Sequence, residues 1–199
     1  MAKNKWILGG ALAKGLFALA VIVSAAWAMQ VMSSAYLRAW GDRARDVDKS
    51  GRAERLYKLS VIVDPQNWQA YLGLGKIYGQ ARYDEIEPAV KRGMALKEKE
   101  ALLQAYRHDT KRSEITYGLG RADFVLGNRE AGLDYLREAA QLSRFNDYYW
   151  RKLGIELRKA AFYEEARSVF EYADQLDPSN KTVKRNIQWL EEMRENDEI

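Results

Sequence analysis

Few side chains in this sequence have the type and spacing that catalysis requires. The chain of 199 residues has no cysteine, which excludes disulfides, thiolate metal sites and cysteine nucleophiles. Its single histidine, His108, lies beside Asp109 in a polar stretch, as a solvated surface histidine would. Adjacent carboxylates such as Glu164 and Glu165 have no converging base. The sequence therefore predicts a protein that is not an enzyme and needs no catalytic residue, metal or cofactor.

Other kinds of ligand site are also missing. The glycine pairs Gly73-x-Gly75 and Gly118-x-Gly120 are not followed by the Lys-Ser or Lys-Thr of a phosphate-binding loop, and they fit helix packing instead. The formal net charge is +4, but residues 34–199 hold 29 basic and 28 acidic side chains. A near-neutral domain gives no electrostatic case for nucleic acid. We expect neither a nucleic-acid partner nor a small-molecule substrate, and we expect the partners to be other proteins.

Residues 147–180 carry the clearest pattern in the chain. Large residues recur at helical spacing on a first helix, and small and aromatic residues do so on a second. The first set is Trp150, Leu153 and Leu157 with Gly154, and the second is Ala166, Phe170 and Ala173. Asp177-Pro178 predicts the end of the second helix, because proline lacks an N–H and restricts the residue before it. This pattern resembles the tetratricopeptide repeat (TPR), a helix–turn–helix unit of about 34 residues.

The resemblance implies an all-α solenoid of about four TPR repeats plus a C-terminal capping helix, and the apolar N-terminal segment predicts one transmembrane helix before it. The predicted bounds are 1–33 for the anchor, 34–67, 68–97, 113–146 and 147–180 for the repeats, 98–112 for an insert, and 181–199 for the cap and acidic tail. Val183, Ile187, Leu190 and Met193 give the cap an apolar face, which a terminal repeat needs as cover.

The second repeat departs from the family spacing. We predict that Ile86, Val90 and Gly93 serve its second helix, with Pro88 in the first turn, where a missing N–H costs little. Eleven extra residues then separate this repeat from the third, within the 98–112 insert. The insert could prolong the helix and pack on its neighbour, or form a short separate helix, or bind a partner.

The resemblance also implies a ligand groove, because the first helices of successive TPR repeats line a concave surface. The predicted lining is Gln69, Leu72, Lys76 and Gln80 in the second repeat, Glu114, Tyr117, Arg121 and Phe124 in the third, and Tyr148, Arg151, Ile155 and Arg158 in the fourth. A basic and aromatic lining suits a peptide with acidic groups, since guanidinium forks hold carboxylates. The alternative is an ordinary solvated face.

One known TPR role is disfavoured. Family members that bind chaperone C-termini carry asparagines on their first helices, where this chain has Gly73, Lys76, Gly118 and Arg121. The departure argues against a chaperone clamp.

The N-terminal segment predicts a membrane span. Residues 6–33 contain one charge, Lys14, and 15–32 contain none. A helix rises about 1.5 Å per residue, so about 20 apolar residues cross a bilayer, and Lys14 can snorkel to the headgroups. A cleaved secretory signal is the alternative, with Lys3 and Lys5 as its basic region and Ala26-Trp27-Ala28 as its cleavage site. The absence of a helix breaker up to Asp46 predicts that the span continues into the first repeat helix.

Small residues at four-residue spacing, Gly9 with Ala13 and Ala11 with Gly15, would allow another membrane helix to approach; the alternative is that they reflect only the frequency of small residues in membrane spans. The flanking charges are almost balanced across the span. The signal-like layout favours a single-pass protein of a bacterial inner membrane with its repeats outside the cytoplasm.

Two functions follow from this sequence. One is a membrane-anchored scaffold that is a subunit or assembly factor of a larger membrane complex. The other is a tethered adaptor, similar to a co-chaperone, whose groove recruits soluble peptides or clients. A third role, as accessory to an envelope polymer or secretion machine, rests on family analogy alone.

Overall fold

The chain is helical throughout the residues that the structure describes. This computed structural model describes the backbone of residues 3–47 and 49–196, and side chains from residue 16 onward within those ranges. The helices there are α1 (Lys3–Asp46), α2 (Ser50–Val63), α3 (Trp68–Asp84), α4 (Pro88–His108), α5 (Ser113–Leu126), α6 (Arg129–Leu142), α7 (Asp147–Lys159), α8 (Tyr163–Leu176) and α9 (Lys181–Glu195). The all-α expectation is confirmed. The chain divides into two compact units, Met1–Ala70 and Tyr71–Ile199.

The first unit is built on α1 and α2. The apolar N-terminal segment runs without a break into the first repeat helix, as the sequence predicts. Tyr57 of α2 is fully buried and fills the space left by Gly41, where a Cβ atom would lie 2.7 Å from the tyrosine ring. The Tyr57 hydroxyl donates a hydrogen bond to Asp42 Oδ1 over 2.7 Å. These contacts align the two helices in an antiparallel pair.

The second unit repeats the same glycine-to-large-residue contact. A Cβ atom on Gly120 of α5 would lie 3.2 Å from Leu136 of α6, and one on Gly154 of α7 would lie 2.8 Å from Phe170 of α8. Leu136 and Phe170 are almost fully buried. The third and fourth repeats therefore pack in the register that the sequence predicts.

The second repeat packs in a different register, and the assignment of its second helix was wrong. Ile86 is 92% exposed, Val90 is 38% exposed, and no heavy atom lies within 4 Å of a Cβ built on Gly93. The residue that faces Gly75 of α3 is Leu102, which is 2% exposed. Residues 95–108 are thus the packed part of α4, and the additional residues lengthen α3 and the start of α4.

Helix α9 closes the second unit. The Asn180 side chain accepts hydrogen bonds from the backbone N–H groups of Thr182 and Val183, so it caps the helix. Val183 and Leu190 are buried in the core formed with α7 and α8. The predicted capping helix is present, and its other face carries charge.

Candidate functional site

A cavity of about 980 Å³ lies in the second unit, between the first helices of three repeats. Helices α3, α5 and α7 supply most of its walls, and Glu98 and Leu102 of α4 lie at its base. The repeat architecture produces this concavity because the first helices stand side by side while the second helices pack behind them.

Most of the predicted groove residues meet here. Eight of the twelve line the cavity: Leu72, Lys76, Gln80, Glu114, Tyr117, Arg121, Phe124 and Tyr148. Gln69, Arg151, Ile155 and Arg158 do not, and Gln69 belongs to the first unit.

Helix α7 presents a neighbouring face to the cavity. Lys152, Glu156 and Lys159 line it, one residue along the helix from the predicted Arg151, Ile155 and Arg158. The predicted face is used in packing: the Arg158 guanidinium lies 4.9 Å from the ring centroid of Trp189 on α9, and Ile155 packs on the hydrophobic core. Each of these two faces of α7 has two cations, and the residues have the same spacing on both faces. The sequence signal alone could not separate them.

Three tyrosines form an aromatic wall. The ring centroids of Tyr117, Tyr148 and Tyr149 lie 5.3 to 5.7 Å apart in edge-to-face pairs, a geometry that stabilises aromatic contacts. The Tyr148 hydroxyl donates to the Tyr117 hydroxyl over 3.1 Å. Burial, helped by this hydrogen bond, raises the pKa of Tyr117, so its hydroxyl stays neutral. Tyr149 was not predicted, although it is adjacent to Tyr148.

The cations of the cavity differ in their partners. Lys76 pairs with Glu114 at 2.9 Å, and Lys159 pairs with Glu156 at 2.8 Å. The Arg121 guanidinium lies 5.6 Å from the Tyr117 ring centroid. The Lys152 ammonium lies 5.5 Å from that of Tyr148.

Among the described residues, Lys91, Arg121 and Lys152 have no carboxylate within ion-pair distance. These three cations and the tyrosine wall can meet carboxylates and apolar side chains together.

The base of the cavity is a buried ion pair. Arg82 Nε lies 2.6 Å from Glu98 Oε2, and both side chains are almost fully buried. Burial raises the pKa of Glu98, while the hydrogen bond and charge of Arg82 oppose that shift. A Cβ atom on Gly79 would lie 2.7 Å from Glu98 Oε1, so a larger residue at this position would force the carboxylate to move. The pair fixes α4 against α3. It also supplies a rigid polar floor.

No group of three or more metal-ligating side chains is found among the described residues. One helix in the same part of the chain is long and apolar enough to cross a membrane, Leu16–Asp46, with a window of mean hydropathy 1.9. A signal sequence meets the same criteria. The side chains of Gly9, Ala11, Ala13 and Gly15, predicted to contact another membrane helix, lie outside the described residues.

The chain matches no known family model and no curated protein. Solved structures do match it. A crystal structure of MamA superposes with a TM-score of 0.70 at 24% identity, covering 81% of this chain and 82% of that one. YrrB, described as a TPR protein with an unusual peptide-binding site, gives 0.65 at 22% identity over 80% and 77%. A TPR protein of Thermus thermophilus gives 0.64 at 16% identity over 77% and 79%.

These neighbours share the helix–turn–helix repeats described above. The resemblance drawn from residues 147–180 is therefore confirmed at the level of the fold. This chain has the tetratricopeptide-repeat fold.

Proposed function

We propose that this protein is a single-pass, membrane-anchored TPR scaffold that holds an acidic segment of a partner protein in the cavity of its second unit. The observation that carries the proposal is that eight residues predicted from the repeat register line one cavity together with Lys91 and Lys152. Ligand pockets for small molecules span about 300 to 1,000 Å³, so a cavity of about 980 Å³ is large enough for several side chains of a peptide.

The chemistry of the lining supports an acidic and partly aromatic or apolar ligand segment. Arg121 and Lys152 stand over tyrosine rings, which orients their charges beside an apolar surface. A carboxylate that approaches them would gain charge-assisted hydrogen bonds, while its apolar neighbours would pack on the tyrosines. The peptide-binding site of YrrB, a neighbour in fold, is consistent with this use of the scaffold.

The anchor is the second part of the proposal. Helix α1 extends over 44 residues, from the apolar segment into the first repeat. A continuous helix transmits orientation, unlike a flexible linker. The scaffold would therefore hold the first repeat at a fixed angle to the bilayer, as suits a subunit or assembly factor of a membrane complex.

Charge reversal in the cavity tests the binding step. We expect the double variant Arg121→Glu and Lys152→Glu to lose its co-purifying partner after gentle detergent extraction, because both cations would become repulsive to carboxylates. A matched control reverses two exposed charges at helix N-termini outside the cavity, Arg129→Glu and Lys181→Glu, and should keep the partner. Equal retention by both variants would remove the cavity from the proposal.

A second candidate function places the contact in the membrane. The small residues Gly9, Ala11, Ala13 and Gly15 permit close approach of another span. Replacing all four by leucine would then release the partner while the repeats stay folded by circular dichroism. Unchanged association would exclude this candidate.

We also propose that the repeats lie outside the cytoplasm of a bacterial cell. The chain has no cysteine, so one engineered cysteine at the exposed Arg129 gives a single label position. Absence of labelling by an impermeant reagent in intact cells would contradict this orientation.

A further inference from the structure

The C-terminal end of α2 lies beside the apolar part of α1. The Gln30 side chain donates a hydrogen bond to the backbone carbonyl of Val63. Gln30 stands inside the uncharged segment, two residues before its last methionine, Met32. The end of α2 therefore lies beside the apolar segment of α1, rather than beyond the C-terminal end of that segment.

A polar cluster of three side chains fixes this level. The Ser34 hydroxyl donates to the Ser60 carbonyl over 3.0 Å, and the Ser60 hydroxyl donates to the Ser34 carbonyl over 2.9 Å. The Asn67 amide donates to the Ser34 hydroxyl over 2.7 Å. Both serines are fully buried. Because a one-residue shift of α2 would break every bond, the alignment of the two helices is specific.

Two of the last four carbonyls of α2, those of Ser60 and Val63, accept hydrogen bonds from within the protein. A helix leaves its last four carbonyls without intrahelical partners. Here the Ser60 carbonyl accepts hydrogen bonds from the Ser34 hydroxyl and the Asp64 N–H, and the Val63 carbonyl accepts one from the Gln30 side chain. A backbone close to hydrocarbon needs such partners, since unsatisfied polar groups there are costly.

The level of this cluster can be compared with the thickness of a bilayer. No charge occurs between Lys14 and Arg38, a stretch of 23 residues. At about 1.5 Å per residue the stretch is about 34 Å long, and the hydrocarbon core is about 30 Å thick. Gln30 lies eight residues before Arg38, or about 12 Å along the helix. Val63, at the level of Gln30, therefore lies inside the edge of the hydrocarbon when the uncharged stretch is centred in the bilayer.

The outer face of α2 changes character along its length. Ile62 is 73% exposed and Leu59 is 49% exposed at the end near Gln30. Arg52 and Arg55 are exposed at the opposite end. Residues 55, 59 and 62 share one side of a helix because they are four and three positions apart. Tyr36 of α1 is 66% exposed near the same level, where tyrosines gather at membrane interfaces.

We infer that the C-terminal end of α2, with Leu59 and Ile62 exposed beside Gln30 and Ser34, is immersed in the lipid interface next to α1. This apolar surface would contact lipid at the boundary between headgroups and acyl chains. Arg52 and Arg55 would remain above it, where anionic headgroups attract them. The inference rests on the membrane anchor of the proposed function. It adds a second contact with the bilayer, which would restrict rotation and tilt of the first repeat.

Spin labels at three single cysteines test the depth of α2 in proteoliposomes of phosphatidylethanolamine and phosphatidylglycerol. The positions are Ile62→Cys, Arg52→Cys as the matched control on the same helix, and Val23→Cys within the apolar segment. All three side chains are exposed, so the labels need not disturb the core. At each position, the accessibility of the spin label to oxygen, which concentrates in lipid, is compared with its accessibility to a polar nickel chelate.

The expected result is a shift in favour of oxygen at Val23 and Ile62, and a shift in favour of nickel at Arg52. Oxygen preference at Val23 with nickel preference at Ile62 would overturn the inference and leave the anchor intact. Nickel preference at Val23 would overturn the anchor, and the inference with it. Unchanged helicity by circular dichroism excludes an effect of misfolding in each variant.

Discussion

At the scale of single residues, the backbone conformation of the turn between the two helices of a repeat determines which residue is tolerated in that turn. Gly127 follows α5 with φ of 91°, and Ala161 occupies the corresponding turn after α7 with φ of 63°. Both angles lie in the left-handed region, which costs a residue with a Cβ atom about 1 to 2 kcal/mol. Glycine removes that cost. The fourth repeat therefore contains a local strain that the third avoids.

The two turns give opposite expectations for reciprocal substitutions. We expect Ala161→Gly to stabilise the protein by up to about 1 kcal/mol, because relief of strain exceeds the added entropy of the unfolded chain. Gly127→Ala should destabilise it by about 1 to 2 kcal/mol. Urea unfolding of both variants in one detergent, followed by circular dichroism, measures the two changes. The same sign for both would contradict this account.

At the scale of helices, the second repeat shows what the sequence could and could not predict. The third and fourth repeats were predictable because their glycine and large residue occur at the family spacing, as in Gly154 with Phe170. The second repeat offered two sets of residues for one helix. Ile86, Val90 and Gly93 match the pattern at the expected distance, but the structure packs Leu102 in their place.

A signal for the correct register was present at the end of α4. The Asp109 carboxylate accepts the backbone N–H of Lys111 over 3.0 Å, as Asp64 and Asp177 accept those of Gln66 and Ser179. Counting seven residues back from each aspartate gives Leu102, Tyr57 and Phe170, the residues that face the glycines. Asp109 lacks the following proline that marks the other two turns, so the sequence alone did not indicate a turn there.

The register of α4 leads to a prediction about its stability. We expect Leu102→Ala to destabilise the protein by about 2 to 5 kcal/mol, because it empties the space between Gly75 and Gly118. Val90→Ala, on the same helix, should change stability by no more than about 0.5 kcal/mol. Thermal unfolding followed by far-ultraviolet circular dichroism compares the stability of the two variants. Similar losses for both would mean that the start of α4 also packs.

At the scale of the whole molecule, the two units divide the work that we propose. The first unit carries α1 with its exposed apolar surface, and contains the contacts through which the bilayer would orient the chain. The second unit carries the cavity. Its cationic and aromatic lining depends on three first helices at once, so no single repeat could bind the same segment. We expect a partner protein to occupy this cavity while the chain is anchored to the membrane.

A photo-crosslinking amino acid at Gln80 tests that claim most directly, since Gln80 is exposed and lines the cavity. The same group at Arg129, exposed outside the cavity, is the control. After irradiation of intact cells, we predict a discrete adduct at Gln80 in the membrane fraction, absent from the Arg129 variant and lost when Arg121 and Lys152 are both changed to glutamate. No adduct at Gln80, or the same adducts at both positions, would contradict the account.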